Sequence, residues 1–124
     1  MMRRILVVDD EESIRKLLEL ILREAGYEVL FCEDGLQGYN LAKKEKPDLI
    51  ILDLMLPKLD GHKVCRLLKF DTRFKEIPII ISTAKASEED KKLAQDSGAD
   101  AYLLKPFKKE ELLQKIKELI KDNA

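Results

Sequence analysis

Four short apolar runs in this chain end on residues that can do chemistry. ILVV runs into Asp9 and Asp10, PDLIILD ends on Asp53, IPIII is followed by Ser82 and Thr83, and YLL is followed by Lys105 and Pro106. Carboxylates gathered at one place repel unless a cation lies among them, and an all-oxygen donor set completed by water is what Mg²⁺ prefers, with Mn²⁺ as a substitute. The charges of Asp9, Asp10 and Asp53 would be balanced by one divalent cation and the ammonium of Lys105. A site so neutralised can accept a phosphoryl group: metal and lysine offset its oxygens, Thr83 donates a hydroxyl hydrogen bond, and a carboxylate oxygen attacks. Asp53 is the expected nucleophile, because it is single and flanked by Leu52 and Leu54, whereas Asp9 and Asp10 stand at the mouth of a helix where they suit metal binding.

Each residue has a plainer reading. Asp9 and Asp10, with Glu11 and Glu12, could be first-turn acids that favour a helix dipole by about 0.3–1 kcal/mol each. Asp53 could cap a turn, although LPKLDG already has Pro57, Asp60 and Gly61 to specify one. The sole histidine, His62, is expected at the exposed start of a helix in a structural role. Cys32 and Cys65 form no C-x-x-C and have no second pair, so they read as two small buried apolar side chains.

The elements that must position these residues follow from periodicity. Short β-branched runs alternate with stretches of helical spacing, a βα pattern repeated five times. Strands are expected at 4–8, 28–32, 49–52, 79–82 and 101–104, with the second, VLFCE, as an edge. The first helix, about 11–25, places Ile14, Leu17, Leu18, Ile21 and Leu22 on one stripe and ends at Gly26. The second, about 35–45, is capped by Asp34; the third, about 61–69, sits behind Asp60 with Val64, Leu67 and Leu68 inward. The fourth opens on the capping box Ser87-Glu88-Glu89-Asp90, and the fifth, about 109–121, buries Leu112, Leu113, Ile116, Leu119 and Ile120. Right-handed crossovers turn this order into an α/β three-layer sandwich, a doubly wound parallel sheet whose ligands bind beyond the carboxyl ends of the strands. Those ends carry the acids and the lysine.

Composition agrees with one globular core: 124 residues, 45 % hydrophobic, 38 % charged and a formal charge of −1. Residues 1–124 are therefore expected to form a single domain. No basic excess suggests nucleic acid, no apolar run reaches the about 18 residues of a membrane span, and a soluble cytoplasmic protein is expected.

The segments ILVVDDE, PDLIILDLMLPKLDG, ISTA and YLLKPF resemble the receiver domain of two-component response regulators, over essentially the whole chain. The resemblance implies a flavodoxin-like fold with strand order 2-1-3-4-5 and phosphorylation of Asp53 by a sensor histidine kinase or phosphotransfer protein. It implies Mg²⁺ held by Asp10, Asp53 and the backbone carbonyl of Met55, with Asp9 acting through water. Thr83 and Lys105 would meet the phosphoryl oxygens, Tyr102 would turn inward as Thr83 moves, and the Lys105–Pro106 peptide would be cis. Tyr102 by itself reads as ordinary amphipathic packing. Lys91, Lys92, Tyr102, Lys108 and Lys109 would lie on the surface that signals to a downstream protein or output domain, a phosphorylation-dependent homodimer being one form of that signal. Family variation in phosphoryl lifetime falls at Met55 and Lys85, and an apolar Met55 predicts slow self-dephosphorylation. Such a receiver is not an enzyme acting on outside substrates.

The alternatives are a receiver segment of a larger DNA-binding regulator or hybrid kinase, and a Mg²⁺-dependent phosphohydrolase of the haloacid dehalogenase type. The latter expects D-x-D after the first strand and a cap domain, neither of which is here. An FMN module is disfavoured by the four consecutive acids of DDEE where its phosphate loop would be, and the glycine motifs of dinucleotide and P-loop sites are missing.

Overall fold

The computed structural model describes residues 2–84 and 87–120. Its ten elements are β1 (Arg4–Val8), α1 (Glu12–Glu24), β2 (Glu28–Cys32), α2 (Gly35–Glu45), β3 (Leu49–Asp53), α3 (Gly61–Lys69), β4 (Ile79–Thr83), α4 (Glu88–Asp96), β5 (Ala101–Leu104) and α5 (Lys109–Leu119). The strands form one parallel sheet in the order β2-β1-β3-β4-β5. β3 and β4 each run one residue past the expected end, so the ladder continues to the Asp53–Ser82 and Thr83–Leu104 pairs. β2 is an edge as expected, and β5 is the other.

Alternation along each strand splits the core in two. Leu6, Val8, Ile50, Leu52, Ile79 and Ile81 face Ala42 of α2, Val64, Cys65 and Leu68 of α3 and Ala94 of α4. Ile5, Val7, Leu49, Ile51, Ile80 and Leu103 face Leu18, Ile21 and Leu22 of α1 and Leu112 and Ile116 of α5. Continuous aliphatic strands are what a sheet covered on both faces requires. Both cysteines are buried, and burial pushes each thiol up to about 11.

Helix ends follow local chemistry. Gly26, at φ +94°, closes α1 in a Schellman motif, with Tyr27 N–H donating to Leu22 at 3.0 Å and Gly26 N–H to Arg23 at 3.0 Å. Asp34 caps α2 by accepting from Gln37 N–H at 2.8 Å. Ser87 accepts from Asp90 N–H at 3.1 Å, while its hydroxyl donates to the Asp90 carboxylate at 2.5 Å.

Three expectations are corrected. Asp60 stands before α3 without a side-chain cap bond. Leu17 and Leu67 point outward, each 46 % exposed, and Cys65 takes the inward place on α3. In LL pairs such as 17–18 and 67–68 the two side chains are about 100° apart, so a single docking direction buries only one. His62 is partly buried rather than exposed. Lys121, the expected end of the last helix, lies outside the described residues. Among the described residues no helix is long and apolar enough to cross a membrane.

Candidate functional site

One row of side chains builds the site. On β1 the residues facing α1 and α5 are Ile5 and Val7, and the next in phase is Asp9; on β3 they are Leu49 and Ile51, then Asp53. On β4 the row passes from Ile80 to Ser82, and on β5 from Leu103 to Lys105. The same period of two that lays down apolar core thus delivers two acids, a serine and a lysine at the carboxyl edge of four neighbouring strands. Asp10, out of phase, is exposed beside them.

Asp9 and Asp53 are only 2 % and 7 % exposed. One ligand oxygen from each of Asp9, Asp10 and Asp53 lies within 4.8 Å of the others. Lys105 Nζ donates to Asp9 at 2.7 Å and lies 3.6 Å from Asp53. The second oxygen of Asp9 accepts from Glu11 N–H at 2.9 Å, and its backbone carbonyl from Arg15 Nη1 at 2.6 Å. Asp53 accepts from Met55 N–H at 3.3 Å.

The electrostatic balance is incomplete. Burial pushes the Asp53 carboxyl up to about 6; Lys105 and the Met55 N–H pull it down, while Asp9 and Asp10 push it further up. Burial lowers the Lys105 ammonium, but its bond to Asp9 and the charges of Asp53 and Asp9 outweigh that and leave it raised. Three carboxylates against one ammonium leave an excess of negative charge in a hard-oxygen donor set, and a divalent cation among Asp9, Asp10 and Asp53 fits it.

Two close backbone approaches hold the loops around Asp53. A Cβ on Gly61 would lie 1.9 Å from the carbonyl oxygen of Asp53, and one on Gly35 would lie 1.7 Å from that of Leu59. Gly61 N–H donates to Leu54 at 3.0 Å and Gly35 N–H to Pro57 at 3.2 Å, so α2, α3 and the loop after β3 are tied together under the site. Among the described residues the buried Ser82 Oγ finds no hydrogen-bond partner.

The expected residues are therefore brought together on one rim, with a distinction. Thr83 follows Ser82 in the opposite phase, on the face of Ile81 and Tyr102, and is 1 % exposed. Since Ile81 pairs with Tyr102 and Thr83 with Leu104, Thr83 and Tyr102 are diagonal neighbours on adjacent strands. Tyr102 is partly buried, which raises its hydroxyl. The Lys105–Pro106 peptide is cis. Met55 is 55 % exposed beside the site, and Lys85 lies outside the described residues. Arg15 was not foreseen: charge alone puts it on the solvent face of α1, and only its place six residues after Asp9 hinted at contact. Gly61 read as turn chemistry, not as a close approach.

Residues 5–117 match the family model of the response regulator receiver domain. The chain belongs to that family. It is 47 % identical over 120 residues to the DNA-binding dual master transcriptional regulator RpaA of Synechocystis sp., covering 97 % of this chain and 50 % of that protein. It is 46 % identical over 121 residues to the alkaline phosphatase synthesis transcriptional regulatory protein PhoP of Bacillus subtilis, covering 98 % and 50 %. The chain thus spans about half the length of these curated relatives. Among solved structures, a CheY-like response regulator receiver domain protein of Methanospirillum hungatei superposes with a TM-score of 0.90 at 32 % identity, covering 97 % of this chain and 94 % of that one. The receiver domain of a sensor histidine kinase from Pseudomonas aeruginosa, solved with a magnesium ion in its active-site cleft, superposes with a TM-score of 0.90 at 33 % identity, covering 97 % and 98 %. The receiver fold is a (βα)5 flavodoxin-like sandwich, and its members are signalling modules rather than enzymes. The cluster of Asp9, Asp10 and Asp53 is able to coordinate a divalent cation, which is consistent with the Mg²⁺-dependent phosphoaspartate function of the family.

Proposed function

We propose that Asp53 is the phosphoacceptor. The observation that carries this reading is the convergence of a buried, central carboxylate with a lysine 3.6 Å away and two further acids. One Asp53 oxygen forms the new O–P bond as the P–N bond of a phosphohistidine on a histidine kinase or phosphotransfer protein breaks, and the imidazole leaves with the electron pair. Mg²⁺, held by Asp10, Asp53 and the Met55 carbonyl with Asp9 acting through water, would supply charge neutralisation for the phosphoryl oxygens. Lys105 exchanges part of its bond with Asp9 for a phosphoryl oxygen, and the Thr83 hydroxyl donates to another. That pull on Thr83 frees space for its diagonal neighbour Tyr102 to turn inward.

The surface that changes is then the α4–β5–α5 face, where Leu93 and Leu104 are 39 % and 40 % exposed and α4 contributes Lys91 and Lys92; Lys109, at the start of α5, turns instead toward Glu24 of α1 at 3.6 Å. A downstream protein or a phosphorylation-dependent second copy would read it. The half-length span against two transcriptional regulators supports residues 1–124 as the receiver portion of a DNA-binding regulator, with contact to DNA left to another domain.

The test is intact mass after incubation with acetyl phosphate and Mg²⁺, for the wild type beside Asp53→Asn. One phosphoryl adduct on the wild type alone is expected. No adduct on either, or the same adduct on both, overturns the assignment. Gel filtration of the two phosphodonor-treated forms tests the dimer.

A further inference from the structure

The face formed by α2 and α3 carries a groove of about 820 Å³ that phosphoryl chemistry does not use. Its apolar lining is Tyr39 from α2, Leu59 from the loop before α3, Leu67 from α3, and Phe70, which caps that helix. α3 spends Val64, Cys65 and Leu68 on the core, so Leu67 and Phe70 form a second strip turned away from it, 46 % and 70 % exposed. Single exposed leucines are ordinary, but an exposed phenylalanine and a leucine in one concavity make a contiguous apolar patch of the kind that marks a binding surface.

The rim is basic. Lys63 and Arg66 line the groove, and among the described residues neither meets a carboxylate at ion-pair distance. Aromatic rings steady cations on both walls: Lys43 Nζ lies 4.0 Å from the centre of the Tyr39 ring, and the Arg66 guanidinium 5.7 Å from that of Phe70. Asp71, the one acid in the lining, is already engaged by Arg73 through Nε at 3.1 Å, Nη2 at 2.8 Å and its backbone N–H at 2.9 Å. The groove therefore presents unmatched positive charge, on a chain whose total is −1.

We propose that this groove docks an acidic amphipathic helix of a partner protein, one that presents two apolar side chains a turn apart with Asp or Glu beside them. Charge complementarity selects the acids, because Lys63 and Arg66 have no carboxylate partner among the described residues. The helical form follows from the walls. Both are α-helices whose mid-segment backbone groups are bonded internally, so an extended peptide finds no ladder to join, whereas a helix satisfies its own backbone and offers side chains at the spacing of Leu67 and Phe70. The nine residues of α3 span about 14 Å, enough for two to three turns of such a ligand. The inference is independent of Asp53 and of the surface around Tyr102.

The test uses a displayed library of 14-residue helical peptides, with Leu or Phe at i and i+4 and all other positions randomised between Glu, Lys, Ala and Gln, selected on the immobilised chain. Enrichment of Glu is expected among the winners. Their affinity should fall tenfold or more for Phe70→Ala and for the doubly reversed Lys63→Glu/Arg66→Glu, and amide shifts should map to Tyr39, Leu67 and Phe70. Replacing Glu by Lys in a winner should restore binding to the doubly reversed variant. Phe70 and Arg66 are exposed, so unchanged melting temperatures and unchanged Asp53 phosphorylation separate loss of docking from loss of fold. Winners without acidic bias, indifference to Phe70→Ala, or shifts confined to another face overturn the proposal. Self-association of the chain abolished by Phe70→Ala would assign the groove to a second copy and equally overturn it. So would binding of a short DNA duplex that competes with the peptides and is insensitive to Phe70→Ala.

Discussion

Lys105 leans on Asp9, at 2.7 Å, and stands off from Asp53 at 3.6 Å. Its one positive charge is shared between two buried carboxylates, with the hydrogen bond spent on the one that is not the proposed nucleophile. The arrangement leaves an Asp53 oxygen less encumbered than Asp9, whose oxygens are taken by Lys105 and by Glu11 N–H. Asp9 is thus the resting partner of the lysine.

Replacing that lysine should expose the repulsion it hides. With side-chain exposures of 10 % for Lys105 and 3 % for Asp9, the pair is buried, and removal of one partner from a buried pair costs about 3 kcal/mol or more. Lys105→Met is expected to lower the unfolding free energy by that order at pH 7 without metal, read from the fall in the urea midpoint at unchanged m-value. Saturating Mg²⁺ should recover much of the loss, since a cation among Asp9, Asp10 and Asp53 replaces the missing charge. A variant as stable as the wild type without Mg²⁺ contradicts this.

Asp53 sets a pH dependence of its own. Its folded value of about 6 lies above the ordinary carboxylate value, so between about pH 4 and 6 the folded chain keeps a proton that the unfolded chain has released. The contribution is fully present below the unfolded value and lost as pH rises through 6. Stability of the metal-free protein should therefore fall as pH rises through that window, by about 3 kcal/mol from this residue. Asp71, held near 2 by Arg73, acts in the opposite sense only at lower pH. Urea titrations at half-unit intervals should show the slope in the wild type, a flatter one in Asp53→Asn, and a flatter one again for wild type with Mg²⁺.

The strand termini were legible because one signal served two purposes: a period of two that buries Ile5 and Val7, or Leu49 and Ile51, must place Asp9 and Asp53 on the same row. Caps at Asp34 and Ser87 and the closing Gly26 were legible because they are local bonds within a few residues. Leu17 and Leu67 were not, since adjacent leucines satisfy helical periodicity equally well and only docking of the whole helix chooses between them. Arg15 and Gly61 were hidden for a related reason. What fixes them, the Asp9 carbonyl and the Asp53 carbonyl, is a tertiary neighbour that periodicity does not represent. The groove between α2 and α3 follows from the outward turn of Leu67, which adjacent leucines leave undecided until the helix docks.

Gly61 turns that lesson into a measurement. A methyl at this position would stand 1.9 Å from the Asp53 carbonyl oxygen, a backbone atom that cannot rotate away. Gly61→Ala is expected to cost about 3 kcal/mol or more and to weaken Mg²⁺ binding by displacing the loop that carries Met55. Gly26→Ala is the control: at φ +94° with nothing within 4 Å of its Cβ, it should cost only about 1–2 kcal/mol in backbone strain and leave Mg²⁺ affinity unchanged. Calorimetric Mg²⁺ titration of both variants decides the matter, and equal affinities would show that the close approach is irrelevant to the site.

Met55 is expected to set the lifetime of the phosphorylated state. Its N–H is spent on Asp53 and its side chain is 55 % exposed at the mouth, so it can cover an acyl phosphate while offering no group to orient an attacking water. Met55→Asn supplies a carboxamide at that position and, because the side chain is already exposed, should fold as the wild type does. Loss of label from the phosphorylated chain at saturating Mg²⁺ should accelerate about tenfold, somewhat less than a positioned proton-transfer group contributes. Met55→Leu keeps the apolar cover and should leave the rate within about twofold of the wild type, well below that acceleration. If the leucine variant decays as fast as the asparagine one, the methionine acts through its backbone alone and the shielding account fails.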